Sequence, residues 1–432
     1  MQTPWGILLC KFQDDTTTEP FERKRYEEIF TSSGNGKSNM VEFFRDVSHG
    51  NVDVSGSEVL GWLTIPKNRS AYEGSGLNPQ GRLDLITWAK DAAVAAGHQL
   101  DKYFSVVVCM NVGTDLCGGP SGVICDGGSV SPHVLGQEMG HAYGLNHSRA
   151  DGSTADYMDD WDIMSTAAAR SANHPEYTEL SPQGTPLVRI GPGLNAANMS
   201  MMSWLDTSRM WMAKQEHFGQ IVELRPLHQR DLPGYLVAKI DDYLLELRVP
   251  TDWDAGIGPA VVLVHSASGG HSYIHRGVSG SFGLLPGDKF QIGDPQDALG
   301  ALTEVVVESI DAQEQRATLR IGRRRDRHPS SGPSLILEGV SNDAGGLIVI
   351  FSNGKAKIKK VPPNTPSYRF IEALDLLDDG ESAGVHEAGQ AIRRHALQAI
   401  QSAASEQLQN MEAFREPALE EGSQGLMDRS DG

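Results

Sequence analysis

A chain of 432 residues can build two or three domains, each with its own apolar core. Its apolar content of 39% and charged content of 22% are those of an ordinary globular protein, and a formal net charge of −19 disfavours nucleic acid and anionic membranes as partners. No apolar run approaches the roughly 20 residues of a transmembrane helix, and no signal peptide is visible at the start.

The early part reads as alternating strands and helices. Residues 7–12 form a buried strand, 22–30 a helix, and 31–39 a loop whose last polar residues can cap the helix that starts at Met40. Strand material runs over 52–65, followed by an amphipathic helix over 81–96 with Leu83, Leu85, Ile86, Trp88, Ala89 and Ala93 on its apolar side. A valine-rich strand covers 103–110, and a Gly-rich passage at 118–128 carries a short edge strand at 122–125. This β-α-β-α-β order predicts an α/β domain with a mostly parallel sheet backed by helices. Of the four cysteines, Cys10 and Cys109 lie in apolar runs and should be buried thiols. Cys117 and Cys125 flank a Gly/Pro-rich loop, where they either pair or stay free.

A helix with proline in its first turn is expected over 192–205, closing a first domain at 1–212. Beyond it the texture changes to short apolar runs at 221–224, 235–240, 244–249, 260–265, 290–292, 304–310 and 317–321. Their spacing predicts an antiparallel β-sandwich over 213–325. Residues 323–333 read as a linker within a 326–365 segment that also holds a hairpin, its turn at Ser352-Asn353-Gly354. The remainder, 366–432, reads as a helical stretch to about 415 and an acidic disordered tail, a small α+β extension in all.

The chemistry concentrates at 132–147, Pro-His-Val-Leu-Gly-Gln-Glu-Met-Gly-His-Ala-Tyr-Gly-Leu-Asn-His. On a helix Gln137 and His141 share a face, and Glu138 sits one residue round, close enough to handle a proton there. Gly144 tolerates the left-handed backbone that ends a helix, so the chain can turn and bring His147 to the same point. Such a face is a three-ligand metal site with an open fourth position. His133 lies too far along the axis to share an ion with His141 and reads as a cleft or surface histidine. His49, His265, His271 and His275 read as structural or exposed.

This stretch resembles the metzincin zinc peptidases, whose motif is H-E-x-x-H-x-x-G-x-x-H followed by a Met-turn. Glu138, His141, Gly144 and His147 match it, and Met164, in Tyr157-Met158-Asp159-Asp160-Trp161-Asp162-Ile163-Met164-Ser165, stands where the Met-turn would underlie the metal. Gln137 replaces the first ligand histidine. The phrase from Phe43 to Val54, followed by Gly61-Trp62, also resembles the secreted bacterial peptidases typified by immune inhibitor A, and Gly144-Leu145-Asn146-His147-Ser148 resembles the gametolysin type.

The resemblance implies a secreted zinc metalloendopeptidase, a hydrolase in which Gln137, His141 and His147 hold zinc and Glu138 is the general base for a metal-activated water. Its partner is a protein or peptide substrate. A neutral amide oxygen is a poorer zinc donor than imidazole, which leaves three outcomes: a working site, a weakly binding and weakly active one, or a pseudopeptidase that binds peptides without turnover. A sandwich and acidic helix that carry the function, with the first domain as scaffold, form a further alternative. Asp151, Ser153, Asp156, Asp159, Asp160 and Asp162 form an oxygen-rich loop that either holds calcium or is internally hydrogen-bonded. Asp162 could instead fix the Met-turn or orient a ligand histidine.

Overall fold

The first strand organises the N-terminal half. In a computed structural model of the chain, Trp5–Phe12 (β1) is buried at every residue, because alternate side chains enter two different cores. Trp5, Ile7 and Leu9 face one core and Leu8, Cys10 and Phe12 the other. The structure describes residues 1–72, 78–126, 129–181, 183–213, 220–293 and 302–324, with the strand segments 335–338, 346–352 and 355–361.

Strand β1 lies between Glu58–Ile65 (β2) and Ser105–Met110 (β3) and runs parallel to both. Cys117–Gly119 (β4) and Gly122–Cys125 (β5) complete the sheet in the order β2-β1-β3-β5-β4, with β5 parallel to β3 and β4 antiparallel to β5. Residues 122–125, expected at the edge, are therefore interior, because a short return strand covers them. All four cysteines are free. Cys117 pairs in register with Ile124, whereas Cys125 lies opposite Cys109.

Helices cover both faces of this sheet. Arg23–Phe30 (α1) and Met40–Val47 (α2) bury Tyr26, Ile29, Phe30, Met40, Phe43 and Phe44 in the core that receives Trp5. A capping box starts α2: Asn39 accepts from Glu42 N at 3.0 Å, and Glu42 accepts from Asn39 N at 3.2 Å. Pro79–Ala95 (α3) lies against the other face through Leu85, Ile86, Ala89 and Ala93. Leu83, expected on that side, falls outside the stripe and is exposed. Pro132–Tyr143 (α4) inserts Leu135 and Met139 into the first core.

Two sheets enclose the second large core. Gln220–Leu224 (β10), Arg316–Arg324 (β17), Leu302–Asp311 (β16) and Lys289–Ile292 (β15) make one of them, in that spatial order. The other runs Arg149–Ala150 (β6), His271–Ile274 (β14), Val261–Ser268 (β13), Tyr243–Arg248 (β12), Val237–Ile240 (β11) and Met210–Met212 (β9). Val222, Leu245, Leu247, Val262, Val264, Val305 and Leu319 meet between them. The sandwich is not purely antiparallel, since β6 pairs parallel with β14 and β9 parallel with β11. Both pairings tie residues before 212 to residues after it. Accordingly, 1–292 and 303–322 form one compact unit.

The ribbon of Ala172–Asn173 (β7) and Arg189–Ile190 (β8) precedes a helix shorter than expected. That helix, Ala196–Met201 (α5), is capped by Asn195, which accepts from Asn198 N at 2.8 Å. Residues before it are committed elsewhere: Gly193 N donates to Asp254 at 3.0 Å and Gly193 O accepts from Ile163 N at 3.2 Å.

A separate unit contains Leu335–Glu338 (β18), Gly346–Ser352 (β19) and Lys355–Val361 (β20) as an antiparallel sheet. Ser352 pairs with Lys355, which brackets the expected turn. Strand β17 extends through Arg324 into the expected linker, whose remainder lies outside the described residues, as do the helix and tail expected over 366–432.

The β12 strand carries a buried charge cluster. Leu245 and Leu247 face the sandwich core, so Glu246 and Arg248 face the opposite way, toward α5 and the residues leading into it. Arg248 donates to Glu246 at 3.0 Å and from Nε to Asp254 at 2.7 Å, and Glu246 also accepts from Ala196 N at 2.6 Å. His265 Nε2 donates to Asp159 at 2.9 Å, while its Nδ1 lies 3.5 Å from Glu246, an ion pair without a well-formed hydrogen bond.

Burial alone would lower the His265 pKa, but Glu246 and Asp159 outweigh it and lift it to about 10. A group raised in the folded state stabilises fully below its unfolded value and loses that contribution as pH rises through the folded one. His265→Gln should therefore cost most stability at pH about 6 and least near pH 10. Thermal melts of both proteins at the two pH values check this, and an equal deficit at both would contradict it.

Candidate metal centre

Helix α4 stops because Gly144 takes a left-handed conformation, with φ 103°. Gly144 N donates to His141 O at 3.0 Å and Leu145 N to Gly140 O at 3.1 Å, the pair of bonds that closes a Schellman motif. The chain then doubles back, and His147 returns to His141 with 3.1 Å between their Nε2 atoms.

The tautomers follow from the other ring nitrogens. His141 Nδ1 is 2.7 Å from Leu145 O, which can only accept, so that nitrogen carries the proton. His147 Nδ1 is 3.2 Å from Asp156 Oδ2, in a carboxylate whose Oδ1 accepts from Arg149 Nε at 2.8 Å, and the same reasoning applies. In the neutral rings both Nε2 atoms therefore present lone pairs to each other, and no hydrogen bond can join them. A cation between them relieves the repulsion. Donation of the second ring N–H to a carbonyl or carboxylate is also the arrangement usual for metal-ligating histidine. Two ligands about 2.0–2.1 Å from a tetrahedral zinc lie about 3.3 Å apart, so this pair fits zinc. Burial lowers the His141 pKa, which favours the neutral, ligating ring.

Gln137 does not join them. Its Oε1 accepts from Thr166 N at 2.9 Å and its Nε2 donates to Glu138 at 3.2 Å. Of the expected Gln137–His141–His147 set, the two histidine Nε2 atoms meet, and the Gln137 amide is hydrogen-bonded to Thr166 and Glu138. The physical reason is that a buried amide must satisfy both a donor and an acceptor, and the backbone after Met164 offers the donor. Glu138 is buried on α4 one turn before His141, and burial raises its pKa to about 7 despite the Gln137 hydrogen bond. Met164 is fully buried and packs beneath α4 at Gly140, the residue before His141, where an added Cβ would lie 2.8 Å from its sulfur.

The acidic loop divides among different donors. Asp162 accepts from Asn195 N at 2.8 Å, from Asn198 at 2.6 Å and from Ser148, so it anchors the Met164 turn and the residue after His147 without touching either ligand histidine. Asp159 accepts from His265, from Asn195 at 3.1 Å and from Trp161 N at 3.0 Å. Asp160 pairs with Arg170 at 3.5 Å. Asp159 and Asp162 share Asn195 as a donor, whereas Asp160 turns to Arg170. Among the described residues no three His, Cys, Asp or Glu side chains gather as a metal set.

His133, expected in a cleft or at the surface, is buried and donates to Gly191 O. His271 Nδ1 bonds His147 O at 2.8 Å, which links β14 to the returning loop. The sequence placed Asp156 in the acidic loop but not against His147, and it gave no sign of Tyr157, whose hydroxyl lies 2.8 Å from His147 Nε2. They sit in an irregular loop, where no periodicity announces a contact.

No protein-family model matches the chain, and no curated protein matches it. No helix among the described residues is long and apolar enough to cross a membrane.

The edge strand β4 crosses α4 at close range: a Cβ on Gly118 would lie 1.9 Å from Glu138 O. Backbone cannot yield as a side-chain tip can. Gly118→Ala should destabilise the protein by about 3 kcal/mol, the upper range for overpacking, in urea denaturation. A loss below about 0.5 kcal/mol, the ordinary surface value, would contradict this packing.

Proposed function

We propose that the chain is a metzincin-like zinc metallopeptidase that hydrolyses bonds in protein or peptide substrates. The observation that carries this reading is the pair of histidine Nε2 atoms, 3.1 Å apart, with the buried carboxyl of Glu138 one helical turn before His141 on α4. His141 and His147 would hold the ion, and zinc bound there supplies Lewis acidity to water and to the scissile carbonyl. Glu138 takes up the proton released from the attacking water and returns it to the leaving amine, a task suited to a carboxyl whose pKa is raised to about 7. A peptide is the favoured substrate class because β4 is an outer strand of the sheet among the described residues and passes close to Glu138. An extended chain can pair with such an edge through main-chain hydrogen bonds.

One observation favours a second reading, a peptide-binding protein without turnover. Gln137 stands where the motif supplies its first ligand histidine, and its neutral amide, bound to Thr166 and Glu138, is a poorer zinc donor than imidazole.

Glu138→Gln separates the two. For a peptidase, cleavage of an unfolded protein in the presence of zinc should fall by about 10²–10⁴-fold, with zinc content unchanged. A native protein that binds peptides but does not cleave them, with or without the substitution, would establish the binding reading instead.

A further inference from the structure

The lone pairs of His141 and His147 leave a third protein donor to be found, if the zinc reading above holds. Gln137 is already engaged, its Oε1 accepting from Thr166 N at 2.9 Å and its Nε2 donating to Glu138 at 3.2 Å. No third His, Cys, Asp or Glu stands at the pair among the described residues. A different oxygen does. Tyr157 Oη lies 2.8 Å from His147 Nε2, the nitrogen that faces His141 Nε2 at 3.1 Å. Its ring packs against the His147 ring with 4.0 Å between centroids and 37° between planes.

The loop holds Tyr157 in that position at a cost. Its φ is +63°, a region that bulky residues rarely adopt. The neighbours keep it there. Asp156 is bound by His147 and Arg149, and Met158 N donates to Ser148 O at 3.1 Å. Two residues further on, Asp159 enters the buried charge cluster through His265. A strained backbone pinned on both sides, and aimed at the lone pair that a metal would take, is a geometry with a use.

We propose that Tyr157 is the third protein ligand of the metal centre, and that its phenol oxygen supplies the donor the motif places at 137. In the metal-free chain the phenol O–H donates to His147 Nε2. With an ion held there, that nitrogen would give it the lone pair, and the phenol would lose its proton to solvent and keep the O–H electron pair on the oxygen as a donor. An anionic oxygen with two imidazoles makes a three-donor site with an open position, as catalytic zinc requires. Gln137 then has a different task, bridging Glu138 to the backbone at Thr166.

The test uses the full chain and a spectroscopic probe. Cu(II) in place of zinc should give an intense visible tyrosinate-to-metal charge-transfer band, which Tyr157→Phe abolishes. Tyr157→Phe should also weaken zinc binding by about 10-fold or more. Gln137→Leu, which keeps the bulk and removes the amide oxygen, should retain the band. If Tyr157→Phe fails to fold, the band in the native protein decides alone. A native chain that binds Cu(II) and zinc without the band, or that loses zinc with Gln137→Leu and keeps it with Tyr157→Phe, overturns the assignment and leaves the zinc reading intact. A native chain that binds neither metal overturns both.

Discussion

Charge that is buried must be paired, and in this protein that requirement ties the helical half to the sandwich. Arg248, Glu246, His265 and Asp159 are fully enclosed, with Asp254 at their margin. Removing one member of such a cluster typically costs 3–5 kcal/mol, because its partner is left as an uncompensated charge. Each carboxylate is contributed by a different place: Asp159 by the loop before Met164, Glu246 by β12, Asp254 by the turn after it. The cluster therefore specifies how the loop lies on the sheet. A hydrophobic interface would bind the same two surfaces with less control over register.

From that loop the constraint passes to the histidines. Asp159 anchors its centre and Asp162 its far end, which sets Met164 beneath α4. At its near end Asp156 receives the His147 N–H, and this bond selects the tautomer whose free lone pair faces His141. The Schellman turn at Gly144 does the complementary work, since the turn that brings Leu145 back also offers its carbonyl to His141 Nδ1. One local motif thus both reverses the chain and orients the first ring. Neither effect requires a metal, so the pair is preorganised.

Much of this was legible in the residues. Strand β1 reads as buried because it is apolar throughout, and its continuous run is what two-sided burial in a parallel sheet demands. The capping box at Asn39 and the glycine at 144 are likewise local, and local signals survive without tertiary knowledge. What escaped was non-local. Gly122–Cys125 looked like an edge because the three residues that cover it are too short and glycine-rich to read as a strand. His271–Ile274 escaped because its outward residues are polar, and the helix expected from 192 begins only at Ala196 because Gly193 is held by Asp254. The burial of Glu246 and Arg248 did leave a trace: two opposite charges at alternate positions of an otherwise apolar strand, on one face. The placement of Gln137 left none, since its partner is a backbone N–H that many residues could supply.

The neutral tautomers of His141 and His147 turn two lone pairs toward each other, and we propose that a cation takes both. The most direct measurement is the imidazole ¹⁵N NMR spectrum of the metal-free protein, followed through a titration with zinc, with His141→Ala and His147→Ala to assign the signals. The account predicts Nδ1–H tautomers for both rings before zinc is added, and a shift of both Nε2 resonances that is complete at one zinc per chain. Rings that carry their protons on Nε2, or spectra that zinc leaves unchanged, would contradict it.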